Sequence, residues 1–219
     1  MEAASTDPKT AAVFAGGKMS ATVTVDPSSL VIAADSGYDN ARSRGVAVDL
    51  LVGDLDSISE DGLTEAAELG VTIERYPVDK DATDLEIAID AARLLGATEI
   101  TVYAGESGTF SHLLGVALGL TGQRWEGTHI VWKIGGAAVY RSLPSSPVTL
   151  VAEVGSIVTV LPIGDATGVT TAGLQWPLQD ADLLRGTTRG ISNIATDPVV
   201  SISLDTGALI IIIEEKETT

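Results

Sequence analysis

The sequence predicts an α/β chain in two parts, a doubly wound, mostly parallel sheet over residues 1–143 and an all-β sandwich over 144–219. Three observations carry this. Before residue 145, near-continuous apolar runs alternate with helix-like segments, the pattern of parallel strands covered on both faces. A Pro/Ser segment, Ser142-Leu143-Pro144-Ser145-Ser146-Pro147, then interrupts the chain. Beyond it helical periodicity fades, and short β-rich runs are separated by Gly, Pro and Asp.

In order, strands are expected at Ala11–Ala15, Leu30–Ala34, Leu50–Val52, Val71–Glu74, Ile100–Ala104 and His129–Ile134. Helices fit between them. Ser57-Ile58-Ser59-Glu60 reads as a capped start for a helix ending near Gly70. Thr83-Asp84-Leu85-Glu86 is a capping box, with Thr83 as N-cap, and Gly96 suits the left-handed end of that helix. Together these give the first part a Rossmann-like character. In the second part, strands are expected at Val148–Ala152, Ile157–Leu161, Gly168–Ala172, Val199–Leu204 and Ala208–Ile213. Asp205-Thr206-Gly207 reads as a hairpin loop, and Pro177 to Leu184 as one helix-like segment.

The 219 residues are 45% hydrophobic, enough for a packed core, and contain no cysteine, which excludes disulfides and thiolate metal sites. The start lacks the basic and apolar character of a signal peptide, and the late apolar run Ala208–Ile213 is too short to span a bilayer. A soluble cytoplasmic protein is expected. Thirteen basic and 30 acidic residues give a formal charge of −17. That field disfavours nucleic acid and anionic membrane as partners and favours a cationic small molecule.

The most informative motifs are acidic. Asp54 and Asp56 lie in Gly53-Asp54-Leu55-Asp56-Ser57, two residues apart at an expected strand end, so their side chains should leave one face. Paired carboxylates repel unless a cation lies between them. Mg²⁺ takes oxygen ligands and is commonly held by one or two carboxylates plus substrate phosphates. A metal-dependent phosphate site is one reading; helix caps and solvated loop acids are the other. Asp79, Asp81 and Asp84 form a second cluster, again where a strand gives way to a helix. Open α/β sheets bind ligands at such carboxyl ends.

Lys80, between two of these acids, suits either phosphate neutralisation or a surface ion pair. In Ala34-Asp35-Ser36-Gly37, Asp35 is a ligand, an acceptor or a cap. Gly16-Gly17 and the small and hydroxyl residues from Gly105 through Ser107, Gly108 and Thr109 to His112 suit close phosphate approach, or simple turns. Trp176 suits an aromatic wall or the core, and Ser192 and Asn193 suit ligand hydrogen bonds or a turn.

Taken in order, Ala34–Gly37, Gly53–Ser57, Lys80-Asp81-Ala82-Thr83-Asp84-Leu85-Glu86, Gly173-Leu174-Gln175-Trp176-Pro177-Leu178 and Gly190-Ile191-Ser192-Asn193 resemble the thiamine pyrophosphokinase family. The resemblance implies a nucleotide-binding first domain, a thiamine-binding second domain and a homodimer. It implies pyrophosphoryl transfer from ATP to the hydroxyl of thiamine, or of a similar small cationic alcohol, with release of AMP. Asp54, Asp56 and Asp84 would hold Mg²⁺ as the catalytic set. Asp35, Gly37, Lys80, Asp81, Ser107 and Gly108 would shape the nucleotide site, and Trp176, Ser192 and Asn193 the acceptor site. The chain departs from the family's Gly-Gly-Arg-x-Asp-His stretch, with Thr109 for the arginine and Ser111 for the aspartate; Val116 and Ser36 also differ. These departures leave two further readings, a diphosphokinase for another alcohol and a nucleotide- or thiamine-binding module with impaired catalysis.

Overall fold

The computed structural model describes residues 9–106 and 109–214. Ser107 and Gly108 of the expected phosphate cradle lie outside the described residues. The fold is mixed α/β, and the described residues form two compact units: 9–106 with 128–135, and 109–127 with 136–214.

The first unit contains β1 (Thr10–Phe14), β2 (Leu30–Ala34), α1 (Gly37–Arg42), β3 (Leu50–Gly53), α2 (Glu60–Glu68), β4 (Thr72–Arg75), α3 (Asp84–Leu94), β5 (Glu99–Tyr103) and β6 (His129–Ile134). Its strands run parallel in the order β6-β5-β1-β2-β3-β4. The apolar runs expected at β1, β2 and β3 are the buried centre of this sheet. β4, at its edge, is exposed along its whole length.

Because β4 and β5 lie on opposite sides of β1, α3 has to cross the sheet to join them. It packs on β1, β2 and β3 through Ala88, Ile89, Ala91 and Ala92, mostly small residues that permit a close approach. The expected capping box opens this helix. Thr83 Oγ1 accepts the Glu86 N–H at 3.2 Å, and the Glu86 carboxylate accepts the Thr83 N–H at 2.9 Å. Ser59 caps α2 by accepting the Gly62 N–H at 2.9 Å. Both caps fix a helix start beside the carboxyl ends of the strands.

The second unit contains α4 (Phe110–Gly119), a short 3₁₀ turn (Gln123–Trp125), β7 (Ala137–Ser142), β8 (Val148–Val151), β9 (Ile157–Pro162), β10 (Ala166–Ala172), β11 (Ala181–Leu183), β12 (Asn193–Ile194), β13 (Val199–Ser203) and β14 (Leu209–Glu214). Its strands are antiparallel in two groups, β12-β9-β14-β7 and β11-β10-β13-β8. One hydrophobic cluster draws on both, including Val158, Val160, Ile211, Val169, Val200 and Ile202. β7 precedes the division expected at residue 143, yet it pairs with β14 from Ala137 to Ser142.

Two local expectations are corrected. The segment from Pro177 to Leu184 is not helical. Leu178 exchanges hydrogen bonds with Thr171, Asp180 takes φ +45°, and β11 then pairs with β10. Asp205-Thr206-Gly207 does not close a hairpin either. β13 pairs with β10 and β8, whereas β14 pairs with β7 and β9, so this loop carries the chain from one group of strands to the other.

Gly37, the first residue of α1, is held by packing. A Cβ there would lie 2.1 Å from the Phe14 carbonyl oxygen. Gly37→Ala is therefore expected to lower stability by about 1–3 kcal/mol through overpacking. An unchanged urea midpoint would show that α1 can move away from β1 at no cost.

Candidate metal and phosphate site

The acidic site is built where β2, β3 and α3 converge. Asp35 follows β2, Asp54 follows β3, and Asp84 is the first residue of α3. One carboxylate oxygen from each lies within 4.8 Å of the other two. The crossing of α3 brings Asp84 to this point. Gly53 lies beneath the cluster, where a Cβ would sit 3.1 Å from Asp84 Oδ1 and 3.2 Å from Asp35 Cβ. Its φ of +137° also disfavours a side chain.

Lys80 lies against the acids. Its Nζ is 2.8 Å from Asp54 Oδ2 and 2.9 Å from Asp84 Oδ1, and its side chain is only 13% exposed. The hydrogen bond to Asp54 is the main cause of a raised Lys80 ammonium pKa, and it holds the Asp54 carboxyl below the usual range. The same ammonium ion-pairs with Asp84. Three carboxylates brought together form an all-oxygen donor set, which suits a hard divalent cation such as Mg²⁺.

Asp56 is not one of the three grouped carboxylates. It is exposed, and its carboxyl is pushed up chiefly by the charge of Asp54. The two carboxylates are neighbours for a different reason from the one the sequence suggested. Leu55 adopts φ +63°, so the backbone turns between them instead of running extended. Leu55 is buried in a cluster with Ala33, Tyr38, Leu51 and Ala66. That burial offsets a left-handed conformation costing roughly 1–2 kcal/mol.

The loop is held from the α1 side. Asp35 Oδ2 accepts the Ser57 hydroxyl, and Oδ1 accepts the Ile58 N–H at 3.0 Å. Asp39 accepts the Ser59 N–H at 2.8 Å and its hydroxyl at 2.6 Å. Sequence reasoning missed Asp39 and Arg75 in this setting. Arg75 ends β4 and donates to the Asp54 carbonyl at 3.4 Å. Applying the strand-end rule to β4 would have found it. Asp81 is exposed beside Lys80 in the chain. The loops after β1 and β5 meet closely, with a Cβ on Gly105 falling 2.3 Å from the Gly17 carbonyl carbon.

In the second unit, Trp176 and Asn193 are brought together. Asn193 Oδ1 accepts the Trp176 N–H at 3.1 Å and the Ile194 N–H at 2.9 Å, while Nδ2 donates to the Trp176 carbonyl at 2.7 Å. The buried amide thus fixes the backbone of a tryptophan whose ring is largely exposed. Ser192 sits beside it at φ +57° and donates its N–H to Thr159 Oγ1 at 3.1 Å. Thr109 is the N-cap of α4, and its hydroxyl lies 2.8 Å from that of Ser111.

Asp35→Ala leaves the Ile58 N–H and the Ser57 hydroxyl without their charged acceptor. Hydrogen bonds to charged groups contribute about 1.5–3 kcal/mol each. The expected loss is on the order of 3 kcal/mol in urea unfolding, with a smaller loss for Asp35→Asn, which keeps one acceptor oxygen. Equal stability of Asp35→Ala and wild type would mean that the loop holds its shape unaided.

The chain matches the family model described as the thiamin pyrophosphokinase catalytic domain over residues 22–131, and that described as the thiamin pyrophosphokinase vitamin B1 binding domain over 148–209. Solved structures share the fold. Thiamine pyrophosphokinase from Bacillus subtilis is 24% identical, with TM-score 0.84 over 95% of this chain and 100% of that one. A thiamin pyrophosphokinase family protein from Enterococcus faecalis is 21% identical, with TM-score 0.80 over 95% and 100%. Thiamin pyrophosphokinase from Candida albicans is 14% identical, with TM-score 0.75 over 94% and 90%. No curated protein matches. With both domain models matched in order, and the catalytic one alone spanning half of the sequence, the chain belongs to the thiamine pyrophosphokinase family.

Proposed function

We propose that the protein transfers the pyrophosphoryl group of ATP to the hydroxyl of thiamine, forming thiamine diphosphate and AMP. The observation that carries this is the convergence of Asp35, Asp54 and Asp84, with Lys80 between two of them, in a chain of this family. The hydroxyl oxygen attacks the β-phosphorus, the bond to the bridging α–β oxygen breaks, AMP leaves, and the hydroxyl proton is released. Mg²⁺ held by these carboxylates, with Asp56 beside them, would supply charge neutralisation for the polyphosphate. Lys80 adds a positive charge, and Gly37, Asp81, Ser107 and Gly108 complete the nucleotide site.

In this reading, residues 1–143 are a Rossmann-like nucleotide domain and 144–219 a sandwich domain for the acceptor. Trp176 offers its ring to the cationic heterocycle. Ser192 lines the acceptor site, and Asn193 contributes to it by holding the Trp176 backbone. We also propose a homodimer, which light scattering at micromolar concentration tests; a purely monomeric species would refute it.

The pairing of the Thr109 and Ser111 hydroxyls favours a second reading, the same chemistry on another alcohol or binding with impaired turnover. Neither hydroxyl replaces the permanent charge of an arginine.

With ATP, Mg²⁺ and thiamine, the wild type should form AMP and thiamine diphosphate, and Asp54→Asn should slow this by about a hundredfold or more. Formation of ADP and thiamine monophosphate, or equal rates in the two proteins, would overturn the proposal. Thr109→Arg with Ser111→Asp should raise the rate if the loop limits catalysis. No gain over an active wild type would mean that another donor already serves the phosphates.

A further inference from the structure

We infer that Lys80 is a built-in counter-ion that a divalent cation must displace, so that metal binding releases the ammonium for the phosphates. This rests on the metal-centre reading above. Three carboxylates within 4.8 Å of one another carry three negative charges, and Lys80 returns one positive charge. Its Nζ contacts Asp54 Oδ2 and Asp84 Oδ1 at once, so two of the three acids are bridged by the same cation. A metal ion taking those oxygens shares ligand atoms with the ammonium. Two cations on the same partly buried oxygens repel each other.

The position of Lys80 allows the exchange. It lies between β4 and α3, outside any strand or helix, and its backbone N–H bonds only locally, to the Val78 carbonyl at 3.1 Å. A four-carbon stem lets the ammonium travel several ångströms without unfolding either neighbour. The exchange has a purpose. Until metal arrives, Lys80 keeps the acids from repelling one another; afterwards its charge faces an incoming anion. Metal and phosphate capture become ordered steps.

The test is titration of Mg²⁺ and Mn²⁺ by calorimetry without nucleotide or thiamine. Lys80→Met should bind metal about tenfold more tightly than wild type, or better, because the competing charge is gone. Lys80→Arg should stay near wild type. Equal or weaker binding by Lys80→Met, or no metal binding by any of the three proteins, would overturn the inference. Should Lys80→Met lose its fold, the wild type carries the test. Its Lys80 Nζ resonance, assigned by its absence in Lys80→Arg, should move when Mg²⁺ alone is added. A resonance unmoved at saturating Mg²⁺ would overturn the inference equally. Tighter metal in Lys80→Met with no thiamine diphosphate from the wild type would refute the proposed reaction and retain the exchange. Weaker metal with an active wild type would do the reverse.

Discussion

Helix α3 leaves an edge strand and must reach β5 on the far side of β1, so it lies across three strands of the first unit's sheet. That crossing sets where its first turn falls. Small buried side chains hold the helix close, and the Thr83–Glu86 box fixes the residue at which it begins. Asp84 therefore sits over the end of β3, beside side chains that come from β2 and β3. Without the crossing, Asp35 and Asp54 would face each other with no third acid and no Lys80.

The acids are held by groups that serve the fold as well. Asp35 contributes to the cluster and ties down Ser57 and Ile58. Leu55 joins the hydrophobic cluster of the first unit while turning the chain between Asp54 and Asp56. Asp39, outside the cluster, anchors Ser59 and through it the start of α2. Local strain and repulsion persist here because the surroundings over-determine the loop.

Much of this was legible in the sequence because it is local. The apolar runs of β1, β2 and β3, the capping box at Thr83 and the cap at Ser59 depend on neighbours within a few residues. Asp54 and Asp84 stood out for the same reason. The left-handed turn at Leu55 was not legible, since leucine rarely adopts it and only tertiary burial stabilises it. Leu178 and Ala181, three residues apart and both buried, imitate a helical face; the turn at Asp180 restarts the count. The loop at Asp205–Gly207 has hairpin chemistry, but which strands pair is decided by partners tens of residues away. The role of Asn193 was hidden similarly: its side chain reads as a ligand contact until its partners on the Trp176 backbone are known.

That clamp on Trp176 has an optical consequence. The chain has three tryptophans, and Trp125 and Trp132 are 1% and 3% exposed while Trp176 is 56% exposed. A neutral collisional quencher such as acrylamide should therefore reach one indole and spare the other two. Asn193 ties down the backbone beneath that indole. The native protein thus carries its own fluorescent probe on an exposed face of the second unit, with no label to perturb it.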